Sequence, residues 1–429
     1  MQVARRGRDI LHLKEGKMKG SRNVWAVMTI VLLAVLTAIG AGGISTGWAA
    51  EKPFYFLGLH CLSGNFAGPG EDGDRGCKIA LEERNYKVLG RPIEYLLRDT
   101  ELKPEATTRK AREAIEKFGV KYMMSGLGSH IGLAALDVAR DKKILLMNHS
   151  SGSSEITGER CSRFGFRWTN DNSSIAKSAL TPFLKQHPDI KTVYCLVQDY
   201  AWGQDMNKNS QPILEKMGLK VLGTDFIAVG TTDFSSYLLK AKAAKPDFLY
   251  CMIYGGDQII AAKQVYEFGL RNNVKAILFP WSGTTMIKEI GPDACEGVYF
   301  GLQWWYTYEN EYSKNFTKKF YDKYKVYPDN EAIGAHYCLK VLLDTIERLK
   351  TDEVKVIIQE FEKEKPMDGP TGKEHFRSWD HQNIKQFLIY KGKSPKDYKF
   401  KEDYMGLITG GSLYRTREEN PCRFKDWDL

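Results

Sequence analysis

The chain has 429 residues, a length that exceeds the usual size of one domain and predicts two. Apolar residues make up 43% and charged residues 27%, a composition typical of globular proteins that excludes a fibre or a disordered chain. The net charge is +9, but residues 1–49 hold seven basic and two acidic side chains, which leaves +4 for the rest. Because no long basic run remains, we expect an ordinary solvated surface and no nucleic-acid partner.

The N-terminus has the composition of an export signal. Its basic residues end at Arg22, a mostly apolar stretch without charge follows at 24–39, and small residues come next. This order is typical of a cleaved secretory signal, and cleavage after Ala49 places Gly47 and Ala49 where small residues are needed. An uncleaved anchor is the alternative, although a membrane span needs about 20 apolar residues. We assign residues 1–50 to a signal peptide and expect the mature chain to be periplasmic.

From residue 54, short apolar runs alternate with amphipathic stretches. In the first half, this pattern predicts strands at Phe54–Leu59, Ile93–Leu97, Tyr122–Ser125 and Ile144–Met147. Between them it predicts helices at Asp74–Asn85, Pro104–Phe118 and Gly132–Arg140. Such βαβ repetition indicates a parallel sheet with helices on both faces.

The alternation restarts near Ile175. Helices are predicted at Ile175–Gln186, Met206–Met217, Phe234–Ala243 and Gln258–Phe268. Strands are predicted at Thr192–Val197, Val221–Ile227, Phe248–Ile253 and Ala276–Phe279. We therefore expect two tandem α/β halves with a crossing segment near Phe166–Asn172.

The pattern changes after Val298–Gly301. Two long helices are predicted at Glu311–Tyr324 and Glu331–Leu349, followed by a hairpin-like stretch from Gly369 to Tyr390. Beyond Lys391 the tail is charged and aromatic, with weak periodicity.

Eight cysteines follow the predicted signal, and in an oxidising compartment some of them are expected to pair. Cys195 and Cys251 lie in apolar, strand-like runs and are predicted to be free core residues. The better candidates for disulfides are Cys61, Cys77, Cys161, Cys295 and Cys422. The sequence alone leaves the pairing open, and the lack of a Cys-x-x-Cys pair argues against zinc.

Ligands of open parallel sheets bind beyond the carboxyl ends of the strands, so the loops there contain the candidate site residues. In the first half these are His60, Ser129, His130, His149, Ser150 and Ser151. Their loops carry hydroxyls and backbone N–H groups that suit a carboxylate, with helix capping as the alternative role. In the second half the candidates are Trp202, Tyr254, Asp257 and Trp281. The aromatic ones offer apolar and cation–π contact, with packing between the halves as the alternative.

Six short motifs occur in order along the chain. They are Gly58–Gly64 (GLHCLSG), Leu89–Glu94 (LGRPIE), Asp199–Gly203 (DYAWG), Gly230–Ser235 (GTTDFS), Glu296–Tyr299 (EGVY) and Gly369–Gly372 (GPTG). Over residues 54–390 the chain resembles the periplasmic solute-binding proteins of branched-chain amino-acid type ABC importers, the leucine/isoleucine/valine-binding-like family. The resemblance implies an α/β, type I periplasmic-binding-protein (Venus flytrap) fold, with two doubly wound parallel-sheet lobes and three hinge crossings.

The resemblance also implies boundaries for the lobes. They are residues 51–170 plus 303–366 for lobe 1, 171–302 plus 367–395 for lobe 2, and 396–429 for a C-terminal tail. Relatives hold the ligand carboxylate with first-lobe hydroxyls and backbone amides, which correspond here to Ser129 and to one or both of Ser150 and Ser151. An aromatic residue before glycine covers the ligand, here Trp202, and Tyr254 lies at a strand end with Asp257 nearby.

One departure from the family pattern concerns the ligand's ammonium group. The acid that usually meets it is expected near Trp281 or Ser282, where the sequence has no carboxylate. Either Asp257 or Asp199 substitutes for it, or the ligand is an aromatic acid, an amide or another small anion. The three strand-end histidines are a second peculiarity, and they bind an anion, ligate a metal or meet by coincidence.

We therefore expect a solute-binding component of an ABC importer that captures an amino acid or related carboxylate by lobe closure. Its partners are expected to be the small ligand and the membrane permease subunits, with the protein a monomer that needs no cofactor. The loop Gly126–Gly132 departs from the dinucleotide fingerprint, and no nucleophile elbow occurs, so we expect no enzyme. A ligand-sensing receptor is the alternative, but it requires a membrane span and a further domain after residue 400.

Overall fold

The computed structural model of the protein describes residues 52–424. The predicted signal peptide at residues 1–50 lies outside the described residues, and so do residues 425–429. Within the described part, no helix has both the length and the apolar composition that a membrane crossing requires.

The first part of the chain alternates strands and helices. In chain order these are β1 (Phe54–His60), α1 (Ala67–Glu82), β2 (Lys87–Val88), β3 (Arg91–Asp99), α2 (Pro104–Phe118), β4 (Tyr122–Ser125), α3 (Ser129–Lys142), β5 (Leu145–Asn148) and β6 (Gly165–Arg167). The strands form a first sheet in the order β2-β3-β1-β4-β5-β6, parallel except for the β2–β3 pair. Strands β4 and β5 are buried along their whole length, because helices cover both faces of the sheet.

The second part repeats this arrangement. Its elements are α4 (Asn172–Gln186), β7 (Thr192–Gln198), α5 (Ala201–Lys216), β8 (Lys220–Ile227), α6 (Ser235–Ala244), β9 (Phe248–Met252), α7 (Gly256–Glu267), β10 (Ala276–Phe279), α8 (Thr284–Ile290), α9 (Pro292–Cys295) and β11 (Tyr299–Leu302). Strands β7 to β11 pair in parallel.

The last part of the chain adds elements to both of the preceding parts. They are α10 (Glu311–Tyr324), α11 (Asn330–Leu349), α12 (Val354–Phe361), β12 (Met367–Gly369), β13 (Gly372–Phe376), β14 (Asn383–Ile384), β15 (Phe387–Gly392) and β16 (Met405–Gly411). Helix α11 packs on α1, next to the first sheet. Strands β15 and β16 add antiparallel edges to the second sheet, whose order is β16-β15-β11-β10-β9-β7-β8, and β12 to β14 form a small sheet of their own.

The predicted fold class is confirmed: two parallel-sheet lobes are joined where the chain passes between them at 168–171, 303–310 and 362–386. We call the first sheet and its helices the first lobe, and the second sheet and its helices the second lobe. The lobe boundaries given above stay a prediction. Within the segment assigned to the tail, β16 pairs with β15, so this stretch is ordered despite its weak periodicity.

Helix α1 begins at Ala67, whereas the sequence pattern places its start at Asp74. Glycines and a proline in its first turns hide the helical signal. Gly70 is needed there because a Cβ at this position would overlap the carbonyl oxygen of Cys61 in the loop after β1. Close packing against that loop, and not helix propensity, selects these residues.

One disulfide joins Cys161 to Cys422, a pair among the predicted candidates. The prediction was wrong for Cys61, Cys77 and Cys295, which are free and buried. Cys195 and Cys251 are buried free thiols in β7 and β9, as predicted.

We expect Gly76→Ala to lower the free energy of unfolding by about 1–3 kcal/mol. Gly76 lets α1 approach α11, and a Cβ there would overlap the carbonyl oxygen of Ala332. Urea unfolding followed by circular dichroism measures the change. Gly68→Ala in the same helix is the matched control, since its Cβ would lie 3.6 Å from Thr285 Cγ2, an ordinary contact. Equal midpoints for the two variants would contradict the predicted overlap.

Candidate ligand-binding site

A pocket lies where the strand ends of the two lobes face each other. Its first-lobe wall follows β1, β4 and β5 and consists of Phe66, Leu127, Gly128, Ser129, Ser150, Ser151 and Gly152. Its second-lobe wall follows β7, β9 and β10 and consists of Tyr200, Trp202, Tyr254 and Trp281. Loops after parallel strands therefore build both walls.

Six of the ten predicted site residues line this pocket, and four do not. Those in the wall are Ser129, Ser150, Ser151, Trp202, Tyr254 and Trp281. Those outside it are His60, His130, His149 and Asp257. The sequence reasoning missed Phe66, Leu127, Gly128, Gly152 and Tyr200. Phe66 and Tyr200 occupy the same loops as predicted residues, so their position after a strand was the available signal.

The hydroxyl groups of the three serines in the first-lobe wall differ in their hydrogen bonds. The Ser151 hydroxyl donates to the carbonyl oxygens of Gly126 and Gly128, which fixes the loop after β4. Ser129 Oγ accepts a hydrogen bond from the Ser153 amide at 3.0 Å, so its own proton stays available. Ser150 Oγ is buried and makes no hydrogen bond of ordinary geometry. Ser129 and Ser150 are therefore the hydroxyls that can meet a ligand.

Aromatic rings form the rest of the wall and contact one another. The Trp202 ring centroid lies 5.9 Å from that of Trp281 and 6.2 Å from that of Tyr254, and Phe66 lies 5.7 Å from Tyr254. The indole Nε1 atoms of Trp202 and Trp281 are buried without a hydrogen-bond partner among the described residues. Because an indole N–H is only a donor, both need an acceptor that the ligand can supply. Gly152 allows Trp281 to lie flat against the serine loop, since a Cβ would overlap its ring.

Two helices begin at the pocket. Gly128 precedes α3 and Tyr200 precedes α5, and neither N-cap side chain hydrogen-bonds the first turn. The free N–H groups of a helix start carry partial positive charge and favour an anion. No lining residue in the described chain carries a formal charge, so these dipoles set the polarity of the site.

A carboxyl group, that of Glu331 on α11, lies behind the wall. Its Oε1 is 3.2 Å from the Tyr254 hydroxyl and its Oε2 is 3.7 Å from His149 Nε2. Burial, reinforced by the nearby Asp329 carboxylate, raises the pKa of Glu331 to about 8, while the neighbouring Ser150 and Tyr254 hydroxyls oppose the shift. Glu331 is therefore largely protonated near neutral pH and adds no full negative charge to the pocket.

The three histidines do not meet at one point. His60 and His149 pack together beneath the first-lobe loops, with ring centroids 5.4 Å apart. Burial lowers the pKa of His60 to about 4 and holds the pKa of His149 well below its usual value, so both rings are neutral near pH 7. His130 lies elsewhere, with Nε2 3.2 Å from the Leu102 carbonyl oxygen. Within residues 52–424, no three His, Cys, Asp or Glu side chains are grouped to hold a metal.

The two aspartates considered as partners of an ammonium group have other contacts. Asp257 Oδ2 accepts hydrogen bonds from Gln198 Nε2 at 2.6 Å and from the Gly230 amide at 2.8 Å. Asp199 is exposed, and its Oδ1 accepts from Gln204 Nε2. Neither carboxylate lines the pocket.

Comparisons with known proteins match this architecture. A family profile described as periplasmic binding protein matches residues 57–398. Leu/Ile/Val-binding protein homolog 8 of Brucella suis biovar 1 (strain 1330) is 24% identical over 285 residues, covering 63% of this chain and 70% of that protein. The amino acid ABC transporter substrate-binding protein from Pseudomonas fluorescens Pf-5 is 28% identical with a TM-score of 0.83, covering 87% of this chain and 100% of that chain.

A solute-binding protein of an ABC transporter from R. palustris, solved with benzoate, has a TM-score of 0.76 and 20% identity, covering 87% of this chain and all of that one. At that identity the likeness shows the fold alone. The profile, by contrast, spans most of the chain, and the motifs from Gly58 to Gly372 predict the same family, so that prediction is confirmed. This chain belongs to the periplasmic binding protein family, in its branched-chain amino-acid ABC-transporter type.

Proposed function

We propose that the protein is the extracytoplasmic solute-binding component of an ABC importer and captures a small carboxylate with an apolar or aromatic body. The observation that carries this proposal is a set of buried donors without partners in an uncharged pocket. These donors are Trp202 Nε1 and Trp281 Nε1, and the buried Ser150 hydroxyl lines the same pocket, next to the Glu331 carboxyl. The protein acts by binding and release, without chemistry on the solute.

A carboxylate can accept hydrogen bonds from these donors. A buried donor without a partner costs about 1–3 kcal/mol, and carboxylate oxygens accept several hydrogen bonds at once. The starts of α3 and α5 add favourable dipoles for the negative charge. The rings of Trp202, Trp281 and Tyr254 offer apolar surface to the rest of the ligand. The space enclosed between the two walls is narrow, so this rest must be small.

The same features disfavour a free amino acid. An ammonium group brings three donors and needs acceptors, preferably a carboxylate. The described wall has no carboxylate, and the Glu331 carboxyl behind it is largely protonated near neutral pH. The fold itself accommodates an aromatic carboxylate, since the R. palustris protein of this fold holds benzoate.

In this role the lobes close on the solute by rotation about the three crossings, and the closed form delivers it to the membrane permease. Ligand contacts with both walls favour the closed form, because the open form offers only one wall at a time.

Isothermal titration calorimetry of the refolded chain against benzoate, benzamide and leucine tests the ligand class. Refolding removes any solute carried through purification. We expect benzoate to bind at least tenfold more tightly than benzamide, which lacks the charge, and leucine, which adds the ammonium group. Benzamide binding as tightly as benzoate would overturn the assignment of a carboxylate.

Ser150→Ala is expected to weaken benzoate binding about tenfold, and Trp202→Ala about thirtyfold or more. The serine loses one hydrogen bond to a charged group, while the tryptophan loses a hydrogen bond and a packed ring. Ser236→Ala, on the exposed surface of α6, is the matched control and should leave the affinity unchanged. Unchanged titrations for both pocket variants would place the ligand elsewhere.

A further inference from the structure

A second cavity opens beside the pocket at the rim of both lobes. We call it the rim groove, and it is lined by Phe66, Leu102, His130, Tyr200, Ala201 and Val229. Phe66 and Tyr200 also line the pocket, so the same two side chains separate the two spaces. The rim groove is thus a neighbour of the pocket, and a partition of two rings lies between them.

The rim groove is apolar. Val229 is 40% exposed, an unusual state for a large aliphatic side chain next to a binding pocket. Burial lowers the pKa of His130 and so disfavours a charge there, while the contact of its Nε2 with the Leu102 carbonyl oxygen acts in the opposite direction. An apolar surface of this kind binds hydrocarbon more readily than any polar part of a solute.

The backbone of the groove gives a second, independent observation. Leu102 has a φ of +53°, a left-handed conformation that bulky side chains rarely adopt and that asparagine or glycine adopts more easily. Left-handed backbone of this kind clusters at functional sites, and here the turn that contains it also includes Glu101, at a φ of +55°. At position 102 the side chain is leucine, which lines the groove.

The partition itself can open. The Phe66 and Tyr200 ring centroids are 6.4 Å apart and the rings are tilted by 56°, so the two rings are neighbours but are not stacked. The Tyr200 ring packs against aromatic neighbours, among them His130 at 6.3 Å and Trp202 at 6.1 Å between ring centroids. A rotation of this side chain would exchange these ring contacts for contact with a ligand.

We propose that the rim groove receives the distal apolar part of an elongated carboxylate whose carboxylate group lies in the pocket. The ligand class then extends from small carboxylates to those with an alkyl chain or a para-substituted ring that passes between Phe66 and Tyr200. This inference rests on the proposed function, because it needs a carboxylate in the pocket.

Titrations with benzoate and 4-butylbenzoate test the inference. We expect the unmodified chain to bind 4-butylbenzoate about tenfold more tightly than benzoate, since each buried methylene adds to the affinity. Leu102→Asn and Val229→Asn should each weaken 4-butylbenzoate about tenfold while leaving benzoate within twofold. Leu102→Asn suits a left-handed backbone, so loss of folding should not obscure its effect. Leu239→Asn, at an exposed position on α6, is the matched control and should change neither affinity.

The outcomes separate this inference from the proposed function. Binding of benzoate without binding of 4-butylbenzoate would overturn the inference alone. Equal losses for both ligands in the two groove variants would also overturn it, because the groove would then act on the pocket as a whole. Groove variants that keep both affinities but lose uptake in cells would assign the groove to permease contact instead. A chain that binds neither ligand would overturn the proposed function, and the inference with it.

Discussion

Removing the Cys161–Cys422 disulfide is expected to lower the free energy of unfolding by about 4 kcal/mol. The bond joins residues 261 apart in the chain, so it removes much of the freedom of the unfolded state. It also ties the C-terminal segment to the loop after β5, where the Asn420 side chain donates to the Thr157 carbonyl oxygen at 3.0 Å. Urea unfolding of the Cys161→Ala/Cys422→Ala double variant measures the effect.

Reduction of the unmodified chain supplies the control for this variant. Dithiothreitol should shift its urea midpoint to that of the double variant and should leave the double variant unchanged. The six other described cysteines are free and buried in the folded chain, and dithiothreitol keeps them reduced when both proteins unfold. If neither dithiothreitol nor the two substitutions changes the urea midpoint, the bond does not stabilise the fold.

The affinity for benzoate is expected to fall about fivefold for each pH unit between pH 6 and 8. The cause lies in three buried carboxyl groups on α1 and at the start of α11 that contact the second lobe. Asp72 Oδ2 accepts from the Thr285 hydroxyl at 2.9 Å, and Asp329 Oδ2 accepts from the Thr285 amide at 2.9 Å. Glu331 lies 3.2 Å from the Tyr254 hydroxyl. These contacts join the two lobes, and burial of the three carboxyl groups raises their pKa values more than the hydrogen bonds lower them.

The sign follows from the shifted pKa values. Burial raises the pKa of Glu331 to about 8 and that of Asp329 to about 6, so the closed form binds protons that a solvated carboxyl has already lost. Closure is therefore favoured below these values and weakens as the pH rises through them. Full uptake of one proton on closure would change the affinity tenfold per pH unit. His149 stays neutral in this window, since burial keeps its pKa well below the usual value.

The substitution Glu331→Gln removes the titration of Glu331 alone and leaves the other groups that titrate nearby. Among them is Lys385, whose pKa is lowered by burial and which interacts with Glu331. The glutamine variant should bind benzoate with a flatter pH profile and, at pH 9, more tightly than the unmodified chain. Tryptophan fluorescence titrations at pH 6, 7, 8 and 9 measure both profiles. Parallel profiles for the two proteins would rule out Glu331 as the source of the pH dependence.

Local patterns in the sequence predicted much of the fold. The helix Pro104–Phe118 was predicted with its observed bounds, because a proline opens it and Gly119, in a left-handed conformation, ends it. Strand Tyr122–Ser125 and helix Glu311–Tyr324 also match the prediction. In each case the signal is contained within the element itself.

The parts that sequence reasoning missed depend on contacts far along the chain. Strand β16 contains Gly406, Gly410 and Gly411, which have low strand propensity, and it forms because β15 offers a pairing edge. The choice of Cys422 as partner of Cys161 needs the folded position of both ends.

The candidate site shows the same limit. Strand-end position predicted the loops of Ser129, Ser150 and Trp202, which line the candidate pocket, because parallel sheets present such loops at one edge. Position alone could not show that Ser151 hydrogen-bonds its neighbouring loop, or that His130 points to the Leu102 carbonyl and away from the pocket. Both outcomes depend on side-chain packing that the one-dimensional pattern does not contain.

A crystal structure of the chain with benzoate tests most directly whether the two strand-end walls hold one carboxylate between them. The expected result has the carboxylate oxygens within hydrogen-bond distance of Ser150 Oγ and at least one indole N–H of Trp202 or Trp281, with the benzene ring against the aromatic wall. Benzoate bound to one lobe only, or outside the space between Ser129 and Trp202, would contradict it.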